Sequence, residues 1–115
     1  MDVVSAAVDG WTKLRWVVFQ RDGGCVAVQP RIFRDDIATD QCRNASGWLI
    51  RWNDLFQMEW DHVTDRLGIR RDDEAHGVTV CPWHHRGDRW RIDTRPRRQR
   101  LREVLAALYP DAWAR

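Results

Sequence analysis

From the amino end, the first regular pattern of apolar and polar positions is helical. In residues 11–21, WTKLRWVVFQR, Leu14, Val17 and Val18 recur at helical spacing and the stripe stops at Asp22-Gly23-Gly24, which predicts a helix ending in a turn. Between Cys25 and Gly47 no period is sustained, because Pro30, several aspartates, Asn44 and Gly47 interrupt it. That stretch is predicted as loop, with a short strand over 25–28. Aromatic and β-branched residues alternate partially over 48–52 (WLIRW) and 55–63 (LFQMEWDHV), predicting strands that lead into Asp61-His62. A polar loop follows over 64–75. His76-Gly77-Val78-Thr79-Val80-Cys81 is again β-prone, and Pro82 ends it while suiting the first turn of a helix. This helix would carry His84, His85 and Trp90 before a break near Thr94-Arg95-Pro96. A last amphipathic helix is predicted over 97–108, with Leu101, Val104, Leu105 and Leu108 on one face, stopping at Tyr109-Pro110.

A chain of 115 residues has room for one domain, 1–115, whose small core calls for an additional staple. No apolar run approaches the roughly 18 residues of a membrane helix. The opening segment, acidic early and without a long apolar stretch behind a basic head, does not read as a secretory signal, so the cytosol is the expected compartment. Charge adds a bias. Lys13 is the single lysine, and between Arg86 and Glu103 eight arginines stand against Asp88, Asp93 and Glu103. A guanidinium can grip two phosphate oxygens at once, so Arg86, Arg89, Arg91, Arg95, Arg97 and Arg98 are candidates for contact with phosphates. A solvated helix face is the plain alternative. The eight tryptophans are core-fillers before they are anything else.

Three cysteines are present, Cys25, Cys42 and Cys81, and the last opens Cys81-Pro82-Trp83-His84. Two residues between Cys and His let both side chains hold one ion from a single knuckle, and two further thiolates would complete a tetrahedral zinc site. The alternative is that the cysteines are buried as small hydrophobes. A disulfide is disfavoured in a cytosolic chain.

The remaining histidines suggest hydrolytic chemistry. Phosphodiester hydrolysis needs a base for the attacking water and a divalent cation to take up charge on the phosphate and leaving oxygen. Asp61 can bind such an ion, and alternation along a strand leaves His62 free to act on water. His85 follows the proposed zinc ligand His84 on a helix and points roughly a quarter-turn away from it.

These motifs, E-W-D-H-V at 59–63 and H-G-V-T-V-C-P-W-H-H-R at 76–86, preceded by R-D-G-G-C-V at 21–26, resemble the HNH endonuclease family, in particular its small phage and bacterial members. The resemblance covers about 59–90 directly. It implies an α+β fold built on a ββα-metal (His-Me) finger with a structural zinc, flanked by N- and C-terminal helices. It implies Cys25, Cys42, Cys81 and His84 as zinc ligands, Asp61 and His85 as ligands of a catalytic Mg²⁺ or Mn²⁺, and His62 as general base. The chain would nick one DNA strand per site and leave a 5′ phosphate. A homodimer or a protein partner such as a phage terminase would be needed for double-strand cutting, within a bacterial host cytoplasm if phage-encoded. One position departs from the pattern: His76 stands where the family has its middle Asn, as a third ligand, an orienting group or a mark of weakened activity. The alternatives from other classes are a non-catalytic zinc-stabilised DNA-binding module and a structural interaction domain.

Overall fold

The computed structural model describes residues 10–64, 68–87 and 90–114. The architecture is α+β. Helix α1 (Gly10–Asp22) precedes a long irregular segment with 3-10 turns at Val26–Val28, Asp36–Thr39 and Leu55–Gln57. Strand β1 (Glu59–His62) and strand β2 (Gly77–Val80) follow, then helix α2 (Pro82–Arg86), helix α3 (Arg95–Leu108) and a final turn of helix, α4 (Pro110–Trp113). The strands pair antiparallel with Glu59 opposite Val80, Trp60 opposite Thr79, Asp61 opposite Val78 and His62 opposite Gly77.

Two-residue alternation sorts this ribbon into two faces. Glu59 and Asp61 share one with Val78 and Val80, while Trp60 and His62 share the other, their ring centroids 4.8 Å apart. Gly77 is required on that second face: a Cβ built there would lie 1.6 Å from the Trp60 indole nitrogen. Gly77→Ala should therefore force the indole out of place and cost about 1–3 kcal/mol, the scale of over-packing. A thermal melt that matches the wild type would refute this.

A two-stranded ribbon leaves unpaired backbone groups along its edges, and α1 covers one of them with side chains. Asp22 accepts from Thr79 N at 2.8 Å, and Arg21 donates to Gly77 O at 2.7 Å and to Glu74 O at 2.5 Å. The arginines of α3 act in the same way. Arg98 donates to His62 O at 2.9 Å, Arg100 to Ile32 O at 2.6 Å and Arg102 to Thr64 O at 3.1 Å, while Leu101 and Leu105 turn into the core with Ile32, Phe33, Val63 and Ile92.

Several expected elements come out differently. The expected strand over 25–28 is instead a 3-10 turn, Val26–Val28, closed by Gln29 N donating to Val26 O at 3.3 Å. Residues 48–52 are not a strand. A tight turn on Asn44, whose Oδ1 accepts from Ser46 N and Trp48 N at 3.0 Å each, leaves just an isolated bridge between Arg43 and Leu49. Residues 55–57 form a 3-10 turn because Asp54 caps Phe56 N at 3.1 Å, a local competition that Asp side chains commonly win. Helix α2 ends at Arg86, so Trp90 lies beyond it, and α3 begins two residues earlier than predicted, with Pro96 in its first turn. The predicted inward stripes hold at Val18, Leu101 and Leu105, whereas Val17 and Leu108 face solvent.

Candidate metal centre

Cys25, Cys42 and the Cys81–His84 knuckle converge from three separate places in the chain, all buried, with one donor atom from each residue lying within 4.8 Å of the others. His84 Nδ1 is 3.7 Å from Cys25 Sγ, 3.9 Å from Cys42 Sγ and 3.0 Å from Cys81 Sγ. Ligands about 2.0–2.3 Å from a zinc ion sit roughly 3.5–3.8 Å apart on a tetrahedron, so three thiols and one imidazole in this volume are consistent with a zinc site. The short separation of the long Cys25–Cys42 gap comes from the irregular segment doubling back. Ile50 N donates to Cys42 O at 3.1 Å, in the same stretch that delivers Trp52 O to Cys25 N.

Backbone amides support the sulfurs: Cys81 N donates to Cys25 Sγ at 3.3 Å and His84 N to Cys81 Sγ at 3.4 Å. Burial pushes the Cys25 thiol up to about 12. The Cys42 thiol is also raised, because it hydrogen-bonds to Cys25 and Cys81. Cys81 is held low by accepting from Cys25 and Cys42. Packing three thiols together thus opposes ionising all of them, and a divalent ion is what would let all three ionise.

Asp40 completes this centre and was not visible in the sequence. Its Oδ2 accepts from His84 Nε2 at 3.0 Å and from Trp83 Nε1 at 3.0 Å, so that the Nδ1 lone pair, facing the sulfurs, is the ring's ligand atom. Carboxylates that brace a metal-bound imidazole typically contribute 10–100-fold to affinity. Asp40→Asn should weaken zinc binding by about that factor in competition with a chromophoric chelator. Unchanged affinity would show that the carboxylate does not orient the ring.

His85, the next residue, faces the other way. Its Nε2 lies 3.3 Å from Asp61 Oδ1 and its Nδ1 donates to Glu59 Oε1 at 2.7 Å. Glu59 also pairs with Arg86, and Asp61 Oδ2 lies 2.8 Å from Arg98 Nη2. Burial would raise the Asp61 carboxyl, but the hydrogen bond from His85 and the charge of Arg98 outweigh it and hold the group below its ordinary range. The hydrogen bond to Asp61 raises His85 above the ordinary 6.5 against a smaller lowering by burial, with help from Glu59. Both oxygens of the buried Asp61 carboxylate thus face a cationic group, Oδ1 the His85 ring and Oδ2 the Arg98 guanidinium.

The other predicted site residues lie elsewhere. His62 is on the opposite face of β1 from Asp61; its Nε2 bonds Asp72 Oδ1 at 2.7 Å and its Nδ1 accepts from Arg70 at 3.2 Å. His76 is buried under α4. It bonds Asp73 Oδ1 at 2.7 Å through Nδ1, and its ring stacks on Trp113 at 4.5 Å. Its carbonyl accepts from Val63 N at 2.9 Å, which makes it a residue that ties the loop between the strands. Of the arginines expected on phosphates, Arg86 is paired with Glu59, Arg97 with Asp35 at 3.1 Å, and Arg98 with Asp61 and Asp93. Arg91 and Arg95 are exposed, with side chains unpaired among the described residues, and Arg89 lies outside those residues. Among the described residues no helix is long and apolar enough to cross a membrane.

No family model, curated protein or solved structure matches the chain.

Proposed function

We propose that the protein is a metal-dependent DNA endonuclease of the HNH type, carrying a structural zinc on Cys25, Cys42, Cys81 and His84. The observation that carries this reading is the pair formed by Asp61 Oδ1 and His85 Nε2, 3.3 Å apart. It lies on a strand–strand–helix unit whose helix also supplies His84. Two ligands about 2.1 Å from one divalent ion are separated by about 3 Å when adjacent on an octahedron, so the pair suits a Mg²⁺ or Mn²⁺ ion. Such an ion, when bound, would stabilise negative charge on the scissile phosphate and the departing 3′ oxygen. Glu59 fixes the His85 tautomer by taking the Nδ1 proton, which leaves Nε2 as a donor atom. Arg98 keeps Asp61 ionised. His62 is the proposed proton acceptor from water: Asp72 holds its Nε2, and its Nδ1 would take the proton once water replaces the exposed Arg70 guanidinium there. Arg91 and Arg95 are left to meet phosphates.

One observation favours a second reading, a zinc-stabilised DNA-binding module without catalysis: His62 and Asp61 lie on opposite faces of β1. Incubating supercoiled plasmid with purified zinc-loaded protein and Mg²⁺ or Mn²⁺ separates the two. Conversion to the nicked circle is expected. Binding without cutting, across both ions, would establish the module instead.

A further inference from the structure

Arg98 stands in the first turn of α3, a helix that Leu101 and Leu105 fix in the core, and its guanidinium is committed on every edge. Nε bonds Asp93 Oδ1 at 3.1 Å, Nη1 donates to His62 O at 2.9 Å, and Nη2 lies 2.8 Å from Asp61 Oδ2. The two side chains of that last pair are largely withdrawn from solvent, at 18% and 9% exposed. Arg100 and Arg102 of the same helix reach carbonyls, whereas Arg98 reaches the Asp61 carboxylate as well. Turning it away from Asp61 would break two further contacts, and a planar fork held at three edges keeps its geometry. The other carboxylate oxygen, Oδ1, faces His85 Nε2 at 3.3 Å. Glu59, the nearest further acid, is engaged by His85 Nδ1 and by Arg86.

These constraints decide what the Asp61–His85 pair can offer a cation. Ca²⁺ takes six to eight oxygen ligands and readily binds a carboxylate through both oxygens, whereas Mg²⁺ demands an octahedron and uses one or two carboxylates beside water. Mn²⁺ shares the octahedral preference. With Oδ2 taken by Arg98, Asp61 has Oδ1 alone to give. We infer that Arg98 is a positioning residue that restricts Asp61 to one-oxygen ligation and thereby makes this site select small octahedral ions over Ca²⁺. The inference rests on the ion site of the endonuclease reading and deepens it by naming what sets its ion preference. A purely electrostatic role would act differently. A nearby positive charge repels every divalent ion alike, so it alters both affinities and leaves their ratio in place, while a change in the number of available oxygens alters the ratio.

The test titrates Mn²⁺ into the zinc-loaded full chain, follows the free ion by electron paramagnetic resonance, and then adds Ca²⁺ as competitor. Asp61→Asn supplies the background from surface carboxylates. The wild type should bind Mn²⁺ in an Asp61-dependent manner and release it to Ca²⁺ only at large excess. Arg98→Gln should bind both ions more tightly and lower the Ca²⁺ excess needed for displacement by about tenfold or more, since ligand count and charge tune Ca²⁺ affinity over decades. Arg98→Lys keeps the charge without the fork; it should move the ratio in the same direction, and it decides the matter if circular dichroism shows Arg98→Gln unfolded. A wild-type site that Ca²⁺ fills as readily as Mn²⁺ would overturn the inference. So would folded Arg98 variants in which both affinities change by one common factor, a result that leaves the endonuclease reading standing. A wild type with no Asp61-dependent Mn²⁺ would instead remove the ion site itself, and the endonuclease reading with it.

Discussion

Stripping the metal from the Cys25–Cys42–Cys81–His84 cluster should abolish the cooperative melting transition. Structural zinc in small peptides contributes an apparent 10–16 kcal/mol or so at neutral pH, whereas a domain's whole net stability is about 5–15 kcal/mol. The cluster pins together the turn after α1, the 42–50 loop and the junction of β2 with α2. Cys81→Ser isolates the metal term. Cys81 is the N-cap of α2, accepting from His84 N, and serine is among the best capping residues. The substitution therefore keeps the cap and removes a thiolate ligand. It should leave the protein without a sharp transition by circular dichroism and with the remaining cysteines open to a thiol reagent. If chelation confirmed by metal analysis leaves the melting curve in place, the cysteines are merely packed hydrophobes.

Two histidines adjacent in sequence are assigned opposite tasks by their carboxylate partners. Asp40 takes Nε2 of His84 and turns its Nδ1 toward sulfur. Glu59 takes Nδ1 of His85 and turns its Nε2 toward Asp61. The helical offset between neighbouring residues aims the two rings into different surroundings, so a five-residue helix serves both centres. The spacing Cys81-x-x-His84-His85 made this division readable in the sequence, because ligand spacing and helical rotation are local properties. The carboxylates were not readable. Asp40 is 44 residues from His84 and Glu59 is 26 from His85, and nothing local distinguishes them from the chain's other acids.

The same reasoning explains the arginines. Counting charge along 86–103 suggested a phosphate-binding face, yet Arg98, Arg100 and Arg102 reach back to carbonyls at His62, Ile32 and Thr64. Composition records a guanidinium but not the carbonyl or carboxylate that folding brings to it. His76 was misplaced for a related reason: β-prone residues around it correctly indicated β2, but its side chain is decided by Trp113, at the far end of the chain. Elements with their own period or caps were legible, whereas segments organised by distant partners were not. The irregular 25–57 stretch mixes the two, since Asn44 and Asp54 cap turns locally while the Cys25 N–Trp52 O bond and the cysteine cluster tie together distant positions.

Nicking should fall by about a hundredfold or more in Asp61→Asn and in His85→Ala, the scale on which losing a group that stabilises charge or moves a proton is felt. Zinc content should stay at the wild-type level in both, because neither residue touches the cysteine cluster. Asp61→Asn is nearly isosteric and keeps an oxygen for His85, so a loss there reports charge rather than shape. His62→Ala should fall on the same scale if that imidazole takes the water proton, and full nicking by this variant would move the base elsewhere. The pH dependence has a defined sign. Protonation of His85 competes with a cation at Nε2, and its folded-state value is raised above 6.5. At limiting Mg²⁺ the rate should therefore climb as pH rises through that raised value. The ion pair with Asp61 behaves in the opposite sense, stabilising the fold fully below 6.5 and losing that contribution as pH rises through the folded value. Glu59→Gln removes one of the charges that hold the proton on His85, so the rate profile should shift to lower pH even if its plateau drops. A profile that stays in place, or moves upward, would show that proton loss from His85 does not gate the reaction.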